Sequence, residues 1–331
     1  MKFQDVIGID VGKLKNESVH HLSQKSFEFD NNSSGFKKLI KWVEKQSEYP
    51  LNKILFAFEH TGIYSFPLSV YLSENKLSYI VIPGLEIKRS MGIARGKDDV
   101  IDAQKIALYT FRRKDEIKPY QLPSKRIIEI RRLLSLREKL VKHKSAYSAT
   151  LNENKQFLKR KENRTLFEVQ EKMITELNKQ ISKVENELED IIKHDDQLKR
   201  LHKLITSIKG IGNQTALFMI AFTNGFTLFD NHRKFASYAG IAPFPYQSGI
   251  SIKGKTKVSH LANKKMKSLL NTCAVTAITH NAEMQQYYER RIKEGKSKMS
   301  TINIIRNKLL SRVFAVVKRG TPYVNTMQFA S

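Results

Sequence analysis

From Ser124 to Arg200 the chain contains neither proline nor glycine. The two residues that most readily end a helix are absent, so this stretch has few choices other than long helix. Within it Ile174, Leu177, Ile181, Val184, Leu188 and Ile191 recur at spacings of three and four. That is a heptad seam about 2.5 repeats long. Leu133, Leu136 and Leu140 repeat the spacing earlier. The pattern predicts a helical, coiled-coil-like middle segment over 116–200, folded as a hairpin or packed between two copies. It separates a first region, 1–115, from a last one, 201–331.

The first region alternates strand and helix patterns. Val6–Val11 is a short apolar run ending at Gly12; Ser18–Leu22 and Phe27–Phe29 read as two more strands. Gly35–Glu48 has helical spacing, Lys53–Phe58 is a buried strand ending at Glu59, and Tyr64–Leu72 is a helix. Leu77–Ile82 is a strand and Val100–Arg113 a helix. Three strands in a meander, then helix, strand, helix, strand, helix, is the order of a ribonuclease-H-like α/β domain.

Charge narrows the function. Lys and Arg number 58 against 32 Asp and Glu, a net of +26. Residues 1–115 carry 18 basic and 14 acidic side chains, 116–200 carry 20 and 14, and 201–331 carry 20 and only 4. An excess of that size points to a polyanion, most simply nucleic acid, held chiefly by the last region. A single cysteine, Cys273, excludes a disulfide framework and any cysteine-based zinc site. The amino terminus shows no secretory pattern. The uncharged stretch Asn213–Phe229 is too short and polar for a membrane span. A cytoplasmic protein, nucleoid-associated when bound to DNA, with no membrane partner, is expected.

Carboxylates in a phosphate-binding protein need a reason, and metal binding is the obvious one. Asp10 ends the first strand within Gly-Ile-Asp-Val-Gly-Lys, and Glu59 ends the fourth within Phe-Glu-His-Thr-Gly. Asp99 and Asp102 open a helix within Lys-Asp-Asp-Val-Ile-Asp-Ala and, three apart, share one face. In a ribonuclease-H-like sheet the first and fourth strands are neighbours, so all four acids can meet at one edge. Two Mg²⁺, roughly 3.5–4 Å apart, would neutralise them and clamp a scissile phosphate. Asp98 or Asp99 could instead simply cap the helix.

In the last region Ile208-Lys209-Gly210-Ile211-Gly212-Asn213 breaks one helix and starts another. Such a glycine hairpin between helices, resembling a helix-hairpin-helix element, would expose backbone N–H groups to phosphate at Lys209, Gly210 and Gly212, although glycines also end helices for purely structural reasons. A loop from Ala239 through Ser248-Gly249 follows, then a basic stretch with Lys253, Lys255, Lys257, Lys264, Lys265 and Lys267, then apolar helices over Met266–Ile278 and Ile302–Val317. By spacing alone Ser248 is a turn serine, with Ser251 and Ser259 as neighbours of the same kind.

These motifs together resemble the DEDD transposases of the insertion-sequence-110 family, which include the Piv- and MooV-type DNA invertases and are understood as bridge-RNA-guided recombinases. The resemblance spans the chain: Gly-Ile-Asp-Val-Gly-Lys, Phe-Glu-His-Thr-Gly, Lys-Asp-Asp-Val-Ile-Asp-Ala, Ile-Lys-Gly-Ile-Gly, Tyr-Ala-Gly-Ile-Ala-Pro and Gln-Ser-Gly occur in order. It places the third and fourth acids at Asp99 and Asp102, with Asp98 where the family usually has threonine. It implies a RuvC-like domain holding Mg²⁺ or Mn²⁺ through Asp10, Glu59, Asp99 and Asp102. It also implies a mainly helical transposase domain whose Ser248 attacks a DNA phosphate. Donor and target DNA, a structured non-coding bridge RNA and a dimer or tetramer are the partners implied. Arg131, Arg132, Arg137 and Lys139 become candidate RNA contacts, and Tyr238, Phe244 and Tyr246 candidate stacking platforms. Three alternatives are a metal-dependent structure-specific endonuclease, an invertase without guide RNA, and a non-catalytic scaffold.

Overall fold

The computed structural model describes residues 3–90, 98–248 and 252–324. The chain divides into two compact units, Met1–Leu122 and Pro123–Ser331. The division falls between Leu122 and Pro123.

The first unit is built on a five-stranded sheet. Its strands are β1 (Asp5–Val11), β2 (Lys15–His20), β3 (Ser26–Asp30), β4 (Ile54–Glu59) and β5 (Tyr79–Ile82), in the order β3-β2-β1-β4-β5. β1 runs antiparallel to β2 and parallel to β4, and β4 runs parallel to β5. Side chains alternate across the sheet. Ile7, Ile9, Val11, Ile54, Phe56 and Phe58 therefore share one buried core with Phe36 and Leu39 of α1 (Ser33–Gln46) and Leu68 and Leu72 of α2 (Phe66–Glu74). Val6, Leu55 and Ala57 face the other way, onto Ile106 and Tyr109 of α4 (Asp99–Arg113), with Ile87 of α3 (Gly84–Ser90). Both faces are covered, so β1 and β4 read as continuous apolar runs rather than alternating ones.

Gly8 sets how near α4 comes. A Cβ on Gly8 would stand 2.3 Å from the Ala103 carbonyl oxygen and 2.4 Å from the Ala107 nitrogen. Glycine facing two alanines lets the helix lie directly on the strand. Asp10, two residues further on the same face, is thereby brought beneath the first turn of α4. At the other end of β1 buried Asp5 bonds His20 Nε2 at 2.5 Å and Ser47 Oγ at 2.6 Å.

The second unit is mostly helical. α5 (Lys125–Phe157) and α6 (Arg164–Lys193) form an antiparallel hairpin, since Arg137 pairs with Glu185 and Asn154 bonds Gln170. The expected α6 seam is buried at Leu177, Ile181, Val184, Leu188 and Ile191. On α5, however, the buried positions are Ile127, Ile130, Leu134 and Leu151, while Leu136 is exposed. Leu133 and Leu140 are only partly buried. Near its start α5 also faces α8 (Asn213–Phe222), so the inward face is turned from a simple two-helix seam. Ile130, Val184 and Leu188 belong to the same core as Ile205 of α7 (Asp196–Thr206) and Met219 of α8. The middle segment is packed into the last region.

α9 (His232–Tyr238) is followed by a hairpin of β6 (Pro243–Ser248) and β7 (Ile252–Val258). α10 (Lys264–His280), α11 (Ala282–Lys293) and α12 (Lys298–Arg319) complete the unit. The serine segment, expected to be a loop, is therefore strand, with Ser248 as the last residue of β6. Its prolines argue for a loop, but a two-stranded ribbon is all edge and tolerates them. The register slips between Phe244 and Tyr246, at Pro245, which has no N–H to donate. Among the described residues no helix is long and apolar enough to cross a membrane.

Candidate active site

Strand register assembles the acidic residues. Asp10 and Glu59 are the C-terminal carboxylates of two neighbouring parallel strands, and Ile9 pairs with Phe58. Both continue the face of Gly8 and Ala57 that packs on α4. Asp98 is the N-cap of α4, its side chain accepting the Val100 N–H at 2.8 Å. That capping bond gives Asp98 a structural task and leaves Asp99 and Asp102 in the first turn, facing the strand ends.

The electrostatic consequence is visible at Asp10. Burial pushes its carboxyl up, and the charges of Asp99, Asp102 and Glu59 push it further, to about 6. A carboxylate with three more around it and little water is short of positive charge. Lys105 supplies part of it, bonding Asp102 at 2.6 Å. Carboxylate oxygens are the donors that Mg²⁺ or Mn²⁺ takes. In donor chemistry and charge the four acids fit such an ion. As placed they do not form a closed cage: among the described residues no three His, Cys, Asp or Glu stand close enough to hold a metal ion. A cation would have to draw them together and compete with Lys105.

A further acid joins the set in the structure. Glu17 sits opposite Asp10 in the β1–β2 pair. Its carboxyl is raised by burial, against a hydrogen bond from Ser26, and by the charges of Glu28, Asp99 and Asp98. The sequence pattern starts this strand at Ser18, one residue too late to include it, whereas β2 begins at Lys15. His60, beside Glu59, accepts only a long 3.4 Å bond from the Gly62 N–H.

The basic residues separate by what they touch. Lys209 is exposed in the turn between α7 and α8, where Gly210 lies against Cys273 and Ala277 and exposed Gly212 is the N-cap of α8. Lys257 and Lys264 are exposed and Lys267 is half-buried. Lys265 is committed to Glu138 at 3.2 Å. The β7 backbone carries Lys253 and Lys255, whose side chains, with that of Ser248, lie outside the described residues; so do Gly249 and Ser251. The hairpin base is fixed by Asn303 and Asn307, which donate to the Ile241 carbonyl at 2.9 and 3.1 Å. Phe244 and Tyr246 are exposed, 46% and 65%. Tyr238 instead packs on Phe229 and Phe235 and bonds Asn263. Arg131 donates to the Ala221 carbonyl and Arg137 pairs with Glu185, so both serve the fold.

Residues 7–161 match the family model DEDD_Tnp_IS110, described as Transposase, and residues 202–289 match Transposase_20, described as Transposase IS116/IS110/IS902 family. The chain is 26% identical over 328 residues to the pilin gene-inverting protein of Moraxella bovis, covering 96% of this chain and 97% of that protein. The same figures hold for the pilin gene-inverting protein of Moraxella lacunata. An uncharacterised 43.6 kDa protein of insertion element IS110 from Streptomyces coelicolor is 28% identical over 127 residues, 38% of this chain and 31% of that protein.

Proposed function

Since the chain belongs to the IS110 family of transposases, and is a DNA recombinase on that ground, we propose that it cleaves and rejoins DNA through a phosphoserine intermediate at Ser248, assisted by a divalent cation. The observation that carries the cation part of the reading is the placement of Asp10 and Glu59 at the ends of neighbouring parallel strands, with Asp99 and Asp102 in the first turn of α4. Asp10, Glu59, Asp99 and Asp102 are the residues that would hold Mg²⁺ or Mn²⁺. Bound there, the ion supplies charge neutralisation and electrophilic stabilisation of phosphoryl oxygens.

Ser248 Oγ loses its proton and bonds to a DNA phosphorus; the bond from that phosphorus to one deoxyribose oxygen breaks, and this oxygen leaves as a hydroxyl on taking a proton. A hydroxyl of another strand then attacks the phosphoserine and releases the serine. One phosphodiester is kept throughout, so strands are exchanged without ATP. The first unit is the RuvC-like catalytic domain in this reading, and the α7–α8 turn a helix-hairpin-helix-like phosphate contact. Sequence choice is delegated to a bridge RNA pairing with donor and target DNA. The exposed lysines hold phosphate backbones, and Phe244 and Tyr246 offer faces to splayed bases. Leu166, Val169 and Met173, exposed in one stripe of α6, support self-association as a dimer or tetramer.

The test is to incubate protein, DNA and RNA with Mg²⁺, denature, and look for a protein–DNA adduct. The adduct is expected for the wild-type protein and absent for Ser248→Ala. Cleavage by Ser248→Ala at the wild-type rate, with no adduct from wild type, would instead identify a hydrolytic, RuvC-like nuclease. A second reading, an invertase working without RNA, draws on the near full-length similarity to two pilin gene-inverting proteins. It predicts the same adduct when RNA is omitted.

A further inference from the structure

The carboxylate of Glu59 lies where a side chain of residue 84 would be. In the β4–β5 pair Glu59 is opposite Ile82. Two residues later the chain has turned into α3, and Gly84 passes over the end of Glu59. A Cβ on Gly84 would stand 1.9 Å from Glu59 Oε1, 2.5 Å from its Cδ and 3.0 Å from Oε2. No carbon can approach a carboxylate so closely.

The backbone does not explain the glycine. Gly84 is absent from the residues with positive φ, so its conformation is open to any amino acid. It is also the first residue of a helix, where alanine is ordinarily the better choice. The colliding atoms are the far end of a flexible side chain. An added methyl would thus be accommodated by moving Glu59 and not the fold. Gly8 is the contrasting case, because there the obstacle is the backbone of α4.

We propose that Gly84 is a positioning residue for the Glu59 carboxylate, and that any side chain at 84 turns Glu59 out of the acidic set. This rests on the reading of Glu59 as part of the cation-holding site. It does not depend on the serine mechanism or on RNA.

The experiment compares wild type, Gly84→Ala, Glu59→Asp, the double variant and Glu59→Gln in the full-length protein. Three quantities are measured: melting temperature, Mn²⁺ affinity by electron paramagnetic resonance, and the rate of DNA cleavage against Mg²⁺ concentration. Gly84→Ala is expected to melt at or above the wild-type temperature. It should bind Mn²⁺ and cleave about 10–100-fold less well, as when the support of a metal ligand is lost. Glu59→Asp withdraws the carboxylate by one methylene. In that background Gly84→Ala should cost less than about twofold, because the two changes act on one contact. Wild-type Mn²⁺ affinity and cleavage for Gly84→Ala, with Glu59→Gln inactive, would overturn the inference and leave the carboxylate site standing. Penalties that multiply in the double variant, or a melting temperature several degrees lower for Gly84→Ala, would also overturn it. Full Mn²⁺ affinity and activity in Glu59→Gln would remove the carboxylate reading itself.

Discussion

Asp10 holds a charge that its surroundings oppose. Its carboxyl titrates near 6 in the folded chain against 3.8 for a free side chain, through burial and the charges of Asp99, Asp102 and Glu59. Between those two values the folded state keeps a proton that the unfolded chain has released. Stability therefore falls as pH rises through this window, and the full penalty is present above about 6. Asp10→Asn removes the penalty. At pH 7.5 without divalent cations the variant is expected to be more stable than wild type, by on the order of 1 kcal/mol once the shift of this partly exposed group is discounted for solvent screening. The gain should shrink below pH 6 and vanish near 3.8. Mg²⁺ should stabilise wild type and not the variant, because ligand bound to the native state adds to stability. Strand cleavage should be lost in the variant at every pH. Thermal melts across pH, with and without Mg²⁺, check this; an Asn variant no more stable than wild type at any pH would sink it. Local strain of this kind is expected where binding, not folding, has chosen the residues.

The α5–α6 hairpin is held by its seam and not by its ion pairs. Leu188 is fully buried, whereas Arg137 and Glu185 are 23% and 35% exposed. Leu188→Ala should cost about 2–5 kcal/mol, and Arg137→Ala closer to 1 kcal/mol through its pair with Glu185. Urea melts of the two variants decide the order; a larger loss from Arg137→Ala would reverse the account. The α6 seam was legible in the sequence because its spacing is strict. The α5 partner was not, because Leu134 and Leu133 are adjacent and only packing against α8 chooses between them. The sheet was legible in the same way, through β1 and β4, whose apolar runs reflect burial on both faces. The edge of β2 was blurred because Lys15 and Glu17 look like turn residues until the register with β1 makes Glu17 face Asp10. Asp10, Glu59, Asp99 and Asp102 stand out in the sequence as candidates because strand ends and a helix start mark them. Gly84 carries no such mark, since its constraint comes from a side chain 25 residues earlier in the chain.

Charge is distributed by unit. Residues 1–122 hold 19 basic and 15 acidic side chains, and residues 123–331 hold 39 and 17. A metal-holding unit that was itself strongly basic would weaken cation binding, whereas a nucleic-acid-holding unit gains from every added positive charge. Under the proposed function the two demands fall on different parts of the chain. Nucleic-acid affinity should then respond to salt through the second unit. Each lysine that neutralises one phosphate of duplex DNA contributes about 0.9 to the slope of log affinity against log salt concentration. Lys209, Lys257 and Lys264 are exposed, and replacing each by Ala should lower that slope by about 1. The melting temperature should not change, because none of the three is buried. Lys41, exposed on α1 of the first unit, is the control, and Lys41→Ala should leave the slope unaltered. Lys265→Ala should behave differently again: its pair with Glu138 makes it a weaker phosphate contact, so its slope change should fall well below 1. Binding isotherms at several salt concentrations measure the five variants against wild type. Equal slopes for Lys41→Ala and Lys257→Ala would mean that only total charge matters, and that the polyanion has no preferred face in the second unit.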